Sequence, residues 1–225
     1  MLSKSAHFVT ATGTDIGKTY VTAGLVRLLR AEGASAIKPV ASGFAMETAA
    51  ASDPGVLLEA MGEPVTTETL ARISPWRFAA PLSPDLAAAR EGRAIDYDAL
   101  LEFCRVSVQR ATGPHFVEGV GGVMVPLDDR RTVRDWMAAL GLPAILVTGS
   151  YLGTVSHTLT ALDVLARARI RVAALVVNET KDSTVPLDDT AAMLRRFSGA
   201  IPVVPLRWED RTHFARIWQA IQSRA

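Results

Sequence analysis

The chain has 225 residues, 49% of them hydrophobic and 21% charged, with a formal net charge of +1. That is enough apolar material for one large core, and nothing reads as a long polar linker, so one compact domain is expected. The near-neutral balance disfavours nucleic-acid binding, and no apolar run reaches the roughly 18 residues of a membrane span.

Short β-rich runs alternate with helical patterns from end to end, the signature of parallel strands joined by crossover helices. The start, MLSKSAHFVTA, lacks the apolar stretch of a secretory signal and enters a first strand, HFVTA, at 7–11. There follows ATGTDIGKTY at 11–20, opening onto a helical pattern over 18–32. Gly13, Gly17, Lys18 and Thr19 thus stand between a strand and a helix. That is the setting of a phosphate loop: inward amides, a helix N-terminus facing the anion, a lysine on the outer phosphates and a hydroxyl on Mg²⁺. Counting five residues back from Gly17 gives Thr12 where G-x-x-x-x-G-K-[ST] wants glycine. A plain glycine turn beside a surface lysine is the alternative.

The second strand, SAIKPVA at 35–41, has Lys38 and Ser42 at its end. An ammonium there needs solvent or a counter-charge, which an anionic ligand in a cleft would supply; a lysine snorkelling from an edge explains it as well. A helical piece near 53–61 opens at Asp53, which reads either as its N-cap or as a metal carboxylate. The stretch 62–84, with Pro64, Pro75, Pro81 and Pro84, reads as an irregular connection whose length points to function.

Helices are expected at 84–91 and 96–111, the latter with Cys104, the single cysteine, on an apolar face shared with Leu100, Leu101 and Val108. Cys104 reads as a small core hydrophobe, and a lone cysteine fits a reducing, cytoplasmic setting. The strand HFVEGV at 115–120 delivers Glu118, followed by Gly119, Gly121 and Gly122. The carboxylate is placed to hold Mg²⁺, with glycines admitting a ligand, or it is a solvated acid on a glycine turn.

A helix at 132–139 and the strand PAILVTG at 143–149 lead to TGSYLGTVSHTL, where a helix over 153–168 starts with Thr154 and Ser156 in its first turn. Such an N-terminus suits a carboxylate or phosphate, and ordinary capping explains it equally. His157 reads as a packing or hydrogen-bonding residue. The strand RVAALVVN at 171–178 ends in Asn178, which either meets a base edge or closes a turn. A helix at 187–197, the strand IPVVPL at 201–206 and a helix at 211–223 complete the chain. Gly33, Gly113 and Gly141 end helical stretches where positive φ is wanted. Strands this apolar belong in a sheet covered on both faces, and the unusual residues cluster just past their carboxyl ends, where parallel sheets bind ligands.

Taken together, these segments resemble dethiobiotin synthetase, an ATP-dependent enzyme of biotin synthesis. The resemblance implies a single-domain, three-layer α/β P-loop NTPase-like fold with a mostly parallel central sheet. The family's loop, approximately G-T-D-T-x-V-G-K-T, is one residue longer than the common version. Its first glycine therefore falls on Ala11, and Thr14, Gly17, Lys18 and Thr19 match in register; Gly13 stands where the family has aspartate. KPVASG (38–43), FAAPLSPDLAAAREGR (78–93), VEGVGG (117–122) and LGTVSHTLTAL (152–162) extend the likeness over most of the chain, while VVPL near the end is a shortened version of the family's last segment.

The resemblance implies that Gly13, Asp15, Ile16, Gly17, Lys18, Thr19 and Tyr20 cradle ATP. Glu118 and Gly121 border it, Asn178 reads adenine, and Pro205 and Leu206 lie nearby. Thr19, Asp53 and Glu118 would hold Mg²⁺. Lys38, with Lys18, Thr14 and Ser42, would bind the carbamate and the phosphoryl group moving onto it. Gly121 would also border the substrate, whose carboxylate tail would meet Gly153, Thr154, Val155 and Ser156 from a partner subunit, which implies a homodimer. Where the family has a lysine and an asparagine in that region, this chain has Tyr151 and Ser156. The implied reaction closes a cyclic urea on 7,8-diaminononanoate with CO₂ and ATP, without nucleic-acid or membrane partners. The alternatives are a related amide synthase, disfavoured by a lone cysteine set in a helix, and a positioning ATPase, whose early second lysine is missing from residues 11–16.

Overall fold

A computed structural model describes residues 5–208, 210 and 212–223. Its strands, in chain order, are β1 (Ala6–Ala11), β2 (Ser35–Ile37), β3 (Val40–Ser42), β4 (Trp76–Phe78), β5 (His115–Glu118), β6 (Ala144–Gly149), β7 (Val172–Asn178) and β8 (Val203–Leu206). Six of them form one parallel sheet in the order β2-β5-β1-β6-β7-β8, and β3 pairs with β4 in a separate parallel ribbon. The helices are α1 (Lys18–Leu29), α2 (Asp53–Met61), α3 (Thr67–Ile73), α4 (Pro84–Arg90), α5 (Tyr97–Arg110), α6 (Val133–Leu140), α7 (Thr154–Arg167), α8 (Leu187–Phe197) and α9 (His213–Gln222).

Every residue of β1, β6 and β7 is buried, as a sheet covered on both faces requires. The core is continuous across the sheet, with Trp136 of α6 meeting Phe8 of β1 edge-on at 4.9 Å between ring centroids. Burying such a side chain stabilises the fold by roughly 1.5–3 kcal/mol. β1 lies between β5 and β6, so the chain leaves β1 toward one edge and later returns to fill the other. The crevice at this switch lies outside the carboxyl end of β1, where residues 12–17 sit.

Several boundaries differ from the sequence reading for identifiable reasons. The expected strand 35–41 breaks at Lys38–Pro39: Pro39 has no N–H for the ladder, its carbonyl accepts from Trp76 N, and the chain passes from the main sheet to the β3–β4 ribbon. The strand of 115–120 stops at Glu118, ahead of the glycines. That of 201–206 starts after Pro202, and Pro205 is tolerated because β8 is an edge strand. The stretch 62–84 is not irregular throughout, since it contains α3 and β4. Gly113, unlike Gly33 and Gly141, has no positive φ; a Cβ there would lie 2.1 Å from Glu32 O, so close backbone approach demands the glycine. The terminal helix begins at His213, and position 211, where the sequence pattern starts it, lies outside the described residues.

Candidate active site

α1 starts on Gly17, whose φ of +102° is open to glycine and strained for other residues. Gly17 brings no capping side chain, so the first-turn amides of α1 face an incoming anion. Asp15 also holds a left-handed conformation, with φ +56°, which aspartate tolerates better than most side chains. Asn178, at the end of β7, braces the loop by donating to Ile16 O at 3.0 Å, while its own Oδ1 is buried without a partner. Lys18 is buried and donates to Gly13 O at 3.2 Å; burial, and then the neighbouring Lys38 ammonium, bring its pKa down to about 8.

Lys38 is 2% exposed and sits at the electrostatic centre. It donates to Glu118 Oε1 at 2.7 Å and Gly119 O at 2.8 Å, and pairs with Asp53 Oδ2 at 2.9 Å. Thr19 donates to the same Glu118 Oε1 at 2.6 Å. Burial works against the Lys38 ammonium, but Glu118 and Asp53 outweigh it and hold the lysine above its ordinary value. Burial likewise opposes ionisation of Asp53, yet Lys38 and then Thr19 keep its carboxyl below the usual range. The sequence left Asp53 as either cap or ligand. Ser52 is the cap, accepting from Gly55 N, and Asp53 turns to the lysine.

Lys18, Thr19, Lys38 and Asp53 line a cleft of about 770 Å³. Thr14, Asp15, Gly17, Lys18 and Thr19 form its phosphate-loop side; Lys38, Ser42, Asp53 and Gly121 form its floor and flank. Glu118 lies directly beneath Lys38 with no exposed surface. Phe44, Ser52, Pro81, Leu82, Pro84 and Val125 are among the remaining wall residues, and sequence reasoning did not single these out as site residues. The proline spacing in 62–84 marked the region, but only its last few residues reach the cleft.

Other expected residues stand apart. Gly13 and Ile16 enter through their carbonyls, which hold Lys18 and Asn178. Tyr20 faces away toward Trp208, donating to its carbonyl at 3.3 Å with ring centroids 5.2 Å apart. The Leu206 side chain is fully buried in the core and presents nothing to a ligand, whereas Pro205 is half-buried. Thr154 turns its side chain inward: the hydroxyl donates to Gly149 O at 2.7 Å and meets Thr148 Oγ1 at 2.9 Å, so the hydroxyl is engaged within the fold. Gly153 and Ser156 are exposed, Val155 half-buried, and none of them borders this chain's own cleft. His157 bonds to Tyr151 through Nδ1 at 3.0 Å, a hydrogen-bonding role as its sequence setting suggested. Cys104 is wholly buried and its thiol is pushed up to about 12 by burial, which makes it inert at neutral pH.

The donor set suits a hard divalent ion. Among the described residues no three His, Cys, Asp or Glu side chains gather as a cage. Asp53, Glu118 and the Thr19 hydroxyl instead offer the two carboxylates and one hydroxyl that Mg²⁺ takes when phosphates complete its shell. Glu118 Oε2 is buried without a hydrogen-bond partner, so its lone pairs are available to a cation.

Comparison with known proteins agrees with this geometry. A family model described as an AAA domain matches residues 5–208. The chain is 52% identical over 201 residues, covering 88% of it and 90% of its counterpart, to the ATP-dependent dethiobiotin synthetase BioD of Acidiphilium cryptum. It is 47% identical over 203 residues, covering 88% and 87%, to the protein of the same description from Phenylobacterium zucineum. In three dimensions it is similar to the cell division ATPase MinD of Pyrococcus furiosus, with a TM-score of 0.56 over 99% of this chain and all of that one, at 16% identity, which speaks for the fold alone.

Proposed function

The chain belongs to the ATP-dependent dethiobiotin synthetase family and is an ATP-dependent ligase of biotin biosynthesis, and from that premise we propose how its residues divide the work. It acts as one P-loop domain over 1–225, in the cytoplasm and as a homodimer, on 7,8-diaminononanoate, CO₂ and ATP. Among the described residues no helix is long and apolar enough to cross a membrane.

One substrate amine attacks CO₂ and loses a proton to give a carbamate. A carbamate oxygen attacks the γ-phosphorus of ATP, ADP leaves, and a carbamic–phosphoric anhydride results. The second amine then attacks the carbonyl carbon and expels phosphate, closing the ring. The reacting oxygens carry negative charge throughout the transfer, so the protein's task is to neutralise and align. Lys18 and the first-turn amides of α1 take the outer phosphates. Lys38, with Thr14 and Ser42 beside it, takes the carbamate and the phosphoryl group in transit. Thr19, Asp53 and Glu118 would hold Mg²⁺, which when bound screens the phosphate charge. Asn178 offers its unpartnered Oδ1 to an adenine amine. The exposed start of α7, at Gly153 and Ser156, serves the carboxylate tail in the partner's site.

The observation that carries this reading is the convergence of Lys18, Lys38, Thr19 and Asp53, from three separate segments, on one cleft over the buried Glu118. Lys38→Ala is expected to leave ATP binding intact while lowering dethiobiotin formation by on the order of 10²-fold or more, the usual loss of an electrostatic stabiliser. Assays with ATP, Mg²⁺, bicarbonate and the diamine, with product followed by mass spectrometry, measure it. Undiminished turnover would remove Lys38 from the mechanism, and ADP release independent of the diamine would overturn the synthetase chemistry.

A further inference from the structure

Four threonine hydroxyls form a chain that runs from the phosphate loop to the start of α7. Thr12, just past β1, has its Oγ1 3.2 Å from that of Thr148 on β6. Thr148 Oγ1 in turn lies 2.9 Å from Thr154 Oγ1 and 2.8 Å from Thr158 Oγ1, both on α7. Thr148 and Thr158 have no exposed surface and Thr154 almost none. Thr148 is out of character for its strand: the rest of β6 is apolar up to Gly149, valine would fill the same space, and a buried hydroxyl costs free energy unless it is bonded.

Each hydroxyl has one proton, and that fixes the direction of the chain. Thr154 donates to Gly149 O and Thr158 to Thr154 O, each at 2.7 Å, and a carbonyl can only accept. Both hydroxyls are therefore acceptors toward Thr148, whose single proton they share. Thr148 has none left for Thr12, so Thr12 donates to it and its proton points into the fold. α7, meanwhile, begins on Gly153 at φ +94° without a capping side chain, next to Leu152, which is 91% exposed. Thr154 and Thr158 are the side chains that bond its first two turns to β6.

From this arrangement we infer that Thr148 is a positioning residue that ties the phosphate loop to the start of α7, so that loading the loop with nucleotide steadies that start. Thr148 does not line the cleft; it acts through Thr12 on one side and Thr154 and Thr158 on the other. The consequence for the reaction rests on the tail role proposed for the start of α7. Nucleotide in one subunit then prepares that subunit's α7 for the diamine in its partner's site, which couples the two sites of the homodimer.

Hydrogen exchange of the full chain with and without ADP and Mg²⁺, read on peptides covering 150–160, tests the tie directly. The wild type is expected to exchange these amides roughly 5-fold or more slowly when ADP is bound, the lower end of couplings between sites. Thr148→Val, close to threonine in shape but without the hydroxyl, should lose the difference, and Thr148→Ser should keep it. Peptides covering 12–19 report ADP binding itself and should be protected in all three proteins, while thermal melting checks that each is folded. Thr12→Val breaks the same chain from the loop side and guards against a folding failure of Thr148→Val. In turnover assays Thr148→Val should raise KM for the diamine by a similar factor with KM for ATP little changed, a split that a general loss of packing would not produce. If exchange over 150–160 ignores ADP in the wild type, or responds equally in the folded valine variants, the tie is wrong. If Ser156→Asp, which sets a negative charge at the start of α7, leaves KM for the diamine unchanged, the tail role fails instead, and the exchange result still decides the tie.

Discussion

Gly17 is constrained from two directions. Its φ of +102° is strained for any L side chain, and a Cβ there would lie 2.3 Å from Asn178 Nδ2, the group that braces Ile16 O. Gly17→Ala should therefore strain the backbone by roughly 1–2 kcal/mol and also push Asn178 off the loop. The expected result is a raised KM for ATP together with a lowered melting temperature. Adding Asn178→Ala should recover part of the stability but none of the affinity. Full affinity in Gly17→Ala would mean that the loop does not depend on this brace. Gly17, Lys18, Thr19, Lys38 and Glu118 were legible in sequence because each lies at or past the carboxyl end of a strand, where a parallel sheet gathers its ligands. The direct pairing of Lys38 with Glu118 was not, because it joins positions 80 residues apart. From sequence alone, a bound anion in the cleft or solvent reached from an edge could each have answered the lysine's charge; the protein's own carboxylates do.

Helix α1 carries the phosphate loop, and its placement depends on what packs against its other face. At Gly24, in the middle of α1, a Cβ would lie 2.1 Å from the Phe214 ring of α9, so the two helices approach as closely as a glycine permits. Gly24→Ala gains helix propensity of about 1 kcal/mol, but overpacking of this kind costs about 1–3 kcal/mol. The clash should dominate, giving a melting temperature lower by a few degrees, at about 2–4 °C per kcal/mol for a chain of this size. Phe214→Leu in the same background should return most of it. An unchanged or raised melting temperature in Gly24→Ala would show that α9 yields easily. Element type was readable wherever periodicity was long, as in α5, α7 and α8. What stayed hidden was local redirection: Pro39 sends the chain out of the main sheet, and α3 and β4 occupy a stretch whose prolines suggested only a loop.

Across the whole molecule, the carboxylate and lysine charges of the site balance one another, but two histidines in the sheet do not share that compensation. His7 on β1 is pushed down to about 4 by burial, then by Arg171, and His115 on β5 to about 4 by burial. His7 packs against Phe116 and Trp218, and His115 joins Ser35 at 2.8 Å and Ser107 at 3.1 Å, so both are neutral structural groups between neighbouring elements. In the unfolded chain each titrates near the ordinary histidine value of 6.5. Between pH 6.5 and 4 the unfolded state therefore binds more protons than the folded one, and stability falls with falling pH. The contribution is fully present above pH 6.5 and is lost as pH drops through 4, by about 3 kcal/mol for each histidine at the limit. Denaturant midpoints measured from pH 7 to pH 4.5 should fall steeply for the wild type and less steeply for the variant carrying His7→Gln and His115→Gln. The difference isolates the histidines because carboxylates such as Asp53, held down by Lys38, titrate alike in both proteins. If the two proteins lose stability in parallel, acid sensitivity originates in the carboxylates held down by their partners, Asp53 in the cleft and Asp128 and Asp135 outside it, rather than in the two sheet histidines.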